Sequence, residues 1–144
     1  MLNKFFQSFH EPKNSDENTF QSDLYNLIYE IIIADHEISP EEIDLSAELV
    51  EFYFQIPKNK NKQEFLKLAD KQHFNTDLSQ FTQRLKVSLS YEQRMDIILI
   101  CWQVLMVDGI EDQLETSTVR TLSTLLGLED KDFILIRNRV KDSL

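Results

Sequence analysis

Four carboxylates are spaced so that they could do chemistry together. Asp35 and Glu42 stand seven residues apart, and so do Asp108 and Glu115. Their oxygens are hard donors, suited to calcium, magnesium or manganese. Glu37, Glu111 and Asp112 lie close enough in the chain to add ligands. Calcium prefers about six to eight oxygens, so one loop alone would bind it weakly and the two together could bind it better. His36, between Asp35 and Glu37, would shift the preference toward zinc or manganese. A second reading needs no ligand. Ser39 and Asp112 are N-cap residues with Glu42 and Glu115 three positions on, which is the capping-box spacing. Asp35 and Asp108 would then hydrogen-bond their own loops. The two readings compete, because a glutamate folded back onto its N-cap has fewer lone pairs left for an ion. A third is a hydrolase that uses the clustered carboxylates. It would require a concave pocket holding an acid of raised pKa.

The elements that position these residues recur. Ser90 to Leu128 reads as a long buried helix, a tight acidic loop at Asp108–Asp112 and an amphipathic helix. Ser90 and Gln93 form a capping-box pair at its start. Ile97, Ile98, Cys101, Val104 and Leu105 line one helical face, and Ile100, Trp102 and Met106 make the other sides apolar, so other helices should surround it. Gly109 can close it in the left-handed conformation. Leu24 to Phe54 repeats the plan around Asp35–Ser39, with a helix from about Phe20 to Ala34 and a start signal at Ser39-Pro40-Glu41-Glu42. Placing Asp35 on Asp108 puts Ser39 on Asp112 and Glu42 on Glu115, which suggests a pseudo-two-fold pairing of helix–loop–helix units.

The remaining segments read as follows. Leu2, Phe5, Phe6 and Phe9 share one face of a short helix that docks or frays. His10 to Asn18 reads as a linker, so residues 1–19 form an N-terminal helix and linker, and 20–144 form the domain. Lys58 to Lys62 reads as a lysine–asparagine loop. Helices are predicted at about Gln63–His73, Leu78–Leu89 (with Thr76 as N-cap) and Asp130–Lys141. Two glycines, three prolines and no alternating β-branched runs make the chain all-α, a single bundle of about seven or eight helices.

Composition narrows function. A net charge of −10 argues against nucleic acid, which needs a basic face. Charge is also segregated. Ile31 to Pro57 holds seven acids and no lysine or arginine, and Met95 to Val119 holds five acids and no basic residue. Lys58 to Lys86 has seven basic residues against three acids. One cysteine excludes an internal disulfide, and Cys101 reads as a buried, inert thiol. No apolar run is long enough to span a membrane. The N-terminus lacks a signal-peptide pattern, and the expected location is cytoplasmic. No glycine-rich phosphate loop or H-E-x-x-H motif is present, and no enzymatic activity is expected.

At its two acidic loops the chain resembles the tellurite-resistance protein B (TerB-like) family, in its stand-alone, uncharacterised branch. Trp102 to Leu128, W-Q-V-L-M-V-D-G-I-E-D-Q-L-E followed by L-L-G-L, carries the clearest likeness, which spans roughly Phe20 to Lys141. Asp35 and Asp108 match the family's loop aspartate, Glu42 and Glu115 its helix glutamate, and Gly109 its loop glycine. The first loop departs from the pattern with His36. The resemblance implies a compact helical domain, an acidic surface for divalent metal, no catalysis, and a link to tellurite or other envelope and metal stress. Some relatives carry a membrane helix and a J-domain, and this chain has neither a span nor an H-P-D tripeptide. The expected partner is a basic protein, soluble or membrane-associated. The alternative is an interaction scaffold without metal, monomeric or homodimeric.

Overall fold

The structure is a computed structural model that describes residues 14–32, 39–70, 78–107 and 113–143. Within them the chain forms seven helices and no strand: α1 (Asn14–Ile32), α2 (Pro40–Phe54), α3 (Lys58–Asp70), α4 (Leu78–Ser88), α5 (Tyr91–Leu105), α6 (Gln113–Leu125) and α7 (Asp130–Asp142). The all-α expectation holds. The short N-terminal helix expected around Phe5 lies outside the described residues, and so does Thr76.

Helix α5 is the axis. Its Ile97, Ile98, Ile100, Cys101, Trp102, Val104 and Leu105 are all buried, as an apolar circumference requires. It packs against α1, α2, α6 and α7. Leu24, Leu27, Ile28 and Ile31 of α1 face the same core, with Val119 and Leu122 of α6 and Phe133, Ile136 and Val140 of α7. Trp102 and Phe133 meet with ring centroids 5.7 Å apart. The repeat units differ in their packing. In the second, α5 and α6 pack on each other, whereas in the first α1 packs chiefly on α4, and α2 on α3. Phe20 and Phe54 join α1 to the end of α2, 5.9 Å between centroids.

Two boundaries differ from the sequence reading. Helix α1 begins at Asn14, inside the stretch read as a linker. The polar run Asn14-Ser15-Asp16-Glu17 is composition that serves a helix start as readily as a linker. Helix α3 begins at Lys58, so the lysine–asparagine segment is helical and not a loop. The Pro57 carbonyl accepts from the Asn61 N–H at 3.1 Å. Glu51 of α2 takes the orphan Lys58 N–H at 3.0 Å. That cap comes from the preceding helix, so no local motif announces it.

Local signals fixed other ends. Ser39 with Glu42, and Ser90 with Gln93, form complete capping boxes. Helix α6 ends in a Schellman motif. The Leu128 N–H donates to Ser123 and the Gly127 N–H to Thr124, both at 3.0 Å, with Gly127 at φ +78°. Arg94 of α5 donates to the Leu126 carbonyl at 2.6 Å, adding a cation to this negative helix end. A Cβ on Gly127 would sit 2.9 Å from Lys86 Cε and 3.1 Å from Arg94 Nη1. Gly127→Ala should therefore lower unfolding free energy by about 1–2 kcal/mol, read from urea melts.

Candidate functional site

Only part of the four-carboxylate set falls among the described residues. Asp35 and Asp108 lie outside them, as do His36, Glu37, Gly109, Glu111 and Asp112. Glu115 is within α6, but its side chain is not described. Whether the two acidic loops meet therefore lies outside the described residues. Glu42 is described in full. Its backbone N–H donates to Ser39 Oγ at 3.1 Å, and its Oε1 accepts from the Ser39 N–H at 2.9 Å. The carboxylate is buried at the end of the first loop, anchored to the loop's last residue. This is the capping reading realised.

The acidic segment around α2 divides by face. Asp44 and Glu51 turn toward α3 and its lysines. Lys58 and Lys62 both lie 3.3 Å from Asp44 Oδ1. Hydrogen bonds from Lys62 and Lys58 hold the Asp44 carboxyl below its ordinary pKa. Glu41 and Glu48 are exposed on the outer face and make no ion pair among the described residues. The basic segment that follows thus folds back over one flank of the acidic one, and only the outer flank stays negative. The sequence shows these charges segregated along the chain, because helix contacts between α2 and α3 are invisible in the charge run.

The other titratable groups play different parts. Asp23 is buried on α1 and receives a two-pronged contact from Arg84 of α4. Arg84 Nε donates to Oδ2 at 2.7 Å and Nη2 to Oδ1 at 2.8 Å. Tyr91 donates to Asp132 and accepts from the Glu129 N–H, tying α5 to the start of α7. Burial, then the charge of Glu92 one turn away, raises the carboxyl of Asp96. A surface depression among the described residues is lined by Ser79, Gln80, Gln83 and Arg84. No carboxylate lines it, and Asp96 stands elsewhere. No group of three or more histidine, cysteine, aspartate or glutamate side chains is poised for a metal among the described residues.

Cys101 is fully enclosed on α5, and burial pushes its thiol up to about 12. The nucleophilic thiolate is therefore absent near neutrality. A thiol-specific chromogenic reagent should label Cys101 only at the rate of unfolding, and rapid labelling of the folded chain would contradict this burial.

These observations define an all-helical domain in which Glu42 and Glu51 cap the starts of α2 and α3 and the outer flank of α2 is negative. The profile of the family described as Tellurite resistance protein TerB matches residues 21–138, and the chain belongs to that family. No curated protein and no solved structure matches it. No described helix is long and apolar enough to cross a membrane.

Proposed function

We propose that this chain is a non-enzymatic binding domain of tellurite or related metal stress, and that its acidic loops take a hard divalent cation. Asp35, Glu42, Asp108 and Glu115 would supply oxygens. Calcium, magnesium and manganese fit the donor chemistry. The observation that carries the reading is Glu42. Its carboxylate is fixed at the loop end by the Ser39 N–H, so it would need little ordering on binding an ion there. Membership of the TerB family and the unbalanced run of acids from Ile31 to Pro57 add support.

The test is a thermal and calorimetric titration with calcium, magnesium, manganese and zinc. A cation at about one hundred times its Kd should stabilise the fold by about 2.7 kcal/mol. Asp35→Asn/Asp108→Asn should abolish that gain. Glu42→Gln keeps an acceptor for the Ser39 N–H and removes the charge, so it should weaken binding with little loss of stability. An equal response in wild type and the double variant, or none in either, overturns the cation reading. A protein-interaction role without metal is the second reading. It is favoured by large apolar side chains left in water, Phe52 and Leu135 among them.

A further inference from the structure

Lys86 of α4 and Arg94 of α5 both reach the end of α6 and close on one point above Gly127. From the position a Cβ on that glycine would take, Arg94 Nη1 lies 3.1 Å away and Lys86 Nζ 3.3 Å. The glycine lets them meet. Lys86 Cε lies 2.9 Å from the same position, nearer than a real Cβ tolerates. Two positive groups are thus held side by side against their mutual repulsion.

No carboxylate offsets them. The chain has 25 acidic residues against 15 lysines and arginines, so a basic pair left without one is a departure. The acids at the start of α7 are engaged with other groups. Asp132 accepts from the Tyr91 phenol, Glu129 pairs with Lys131 at 3.3 Å, and Asp130 pairs with Arg120 at 2.7 Å. Neither Lys86 nor Arg94 has an ion-pair partner among the described residues.

The end of α6 does not require both cations. The Gly127 and Leu128 N–H groups take the Thr124 and Ser123 carbonyls, and Arg94 takes that of Leu126. The Lys86 ammonium finds no acceptor among the described residues, which leaves its N–H donors open. Arg94 is held by further contacts. Its Nε donates to the Ser90 carbonyl at 3.4 Å, and its guanidinium lies over the Tyr91 ring, 5.4 Å to the centroid. Its Nη2 makes no hydrogen bond among the described residues.

We infer that Lys86 and Arg94 bind a small tetrahedral oxyanion of the phosphate or sulfate kind. One oxygen takes the Lys86 ammonium and another the open edge of Arg94, so both new bonds are charge-assisted. Leu126, Ser90 and Tyr91 already fix Arg94, so only the Lys86 side chain needs ordering. A flat carboxylate carries one charge and fits the two cations less well than a dianion. Lys86 is exposed and Arg94 half-buried, so the dissociation constant is on the order of 1 mM at physiological ionic strength.

Chemical-shift titration of the isotope-labelled full chain, in EDTA and at constant ionic strength, tests this. Sodium sulfate and sodium phosphate should each move the Gly127 and Leu128 amides and the Arg94 Nε–H, and the shifts should saturate. Sodium acetate should bind at least about ten-fold more weakly. Lys86→Met keeps the stem and removes the charge of an exposed side chain, so it should keep full helicity by circular dichroism. It should weaken sulfate binding by at least about ten-fold. Lys86→Arg keeps the charge and should bind more tightly than Lys86→Met. Shifts that never saturate, or that acetate matches, overturn the proposal. So does sulfate binding that Lys86→Met leaves unchanged, since the anion would then sit elsewhere. EDTA removes divalent cations, so none of these outcomes depends on the acidic loops.

Discussion

Replacing Asn61 with leucine should lower the unfolding free energy by about 3–5 kcal/mol. Asn61 is fully buried where α1, α2 and α3 meet. Its amide donates to the Ala47 carbonyl at 3.0 Å and to the Ile56 carbonyl at 2.8 Å, and its Oδ1 accepts from the Tyr25 hydroxyl at 2.6 Å. Ala47 lies mid-α2, and Ile56 lies just past the left-handed Gln55 that ends that helix. One side chain thus holds a helix, its exit turn and a neighbouring helix together. Leucine has a similar reach, so the loss would come from two carbonyls and a hydroxyl stranded without water and not from a cavity. Tyr25→Phe removes one of the three bonds and should cost about 1–2 kcal/mol. The two variants together should cost less than their sum, because they share a bond. Guanidinium melts followed by circular dichroism would measure all three. A loss below about 1 kcal/mol for Asn61→Leu would show that water reaches this junction.

The second large effect is expected at Arg84. Arg84→Met strips both prongs from Asp23, whose side chain is only 4% exposed. A carboxylate left buried and unpaired costs about 3–5 kcal/mol in a dry site. Half of Arg84 is in water, so about 2–4 kcal/mol is the expected loss here. Asp23→Leu/Arg84→Met removes both charges and should recover most of it, since an apolar pair avoids the desolvation cost. If the double variant were no more stable than Arg84→Met, the stranded charge would not be the cause. The lost stem packing of Arg84 and its contact with the Phe81 ring would then explain the effect.

These two sites also mark where sequence reading ended. Both capping boxes were legible, because donor and acceptor stand three residues apart in one strand of text. The all-round apolar pattern of α5 was legible for the same reason. Asn61 was not. It sits in a lysine–asparagine run that reads as a loop, and its partners lie 36, 14 and 5 residues away. The start of α1 was hidden by polar residues that serve a helix N-terminus as readily as a linker. At the candidate site, the cap of Glu42 was foreseen from Ser39-Pro40-Glu41-Glu42. The retreat of Asp44 and Glu51 toward lysines was not, because it depends on how α3 folds back on α2.

The enclosure of Trp102 supplies an optical reporter. It is the only tryptophan, and it stands among isoleucines against Phe133 with its indole sealed from solvent. Its emission should be blue in the native state and move to the red only as the core opens. A substitution that spares the core should leave the spectrum still. One fluorophore, with no label added, can thus distinguish a variant that fails to bind from one that fails to stand.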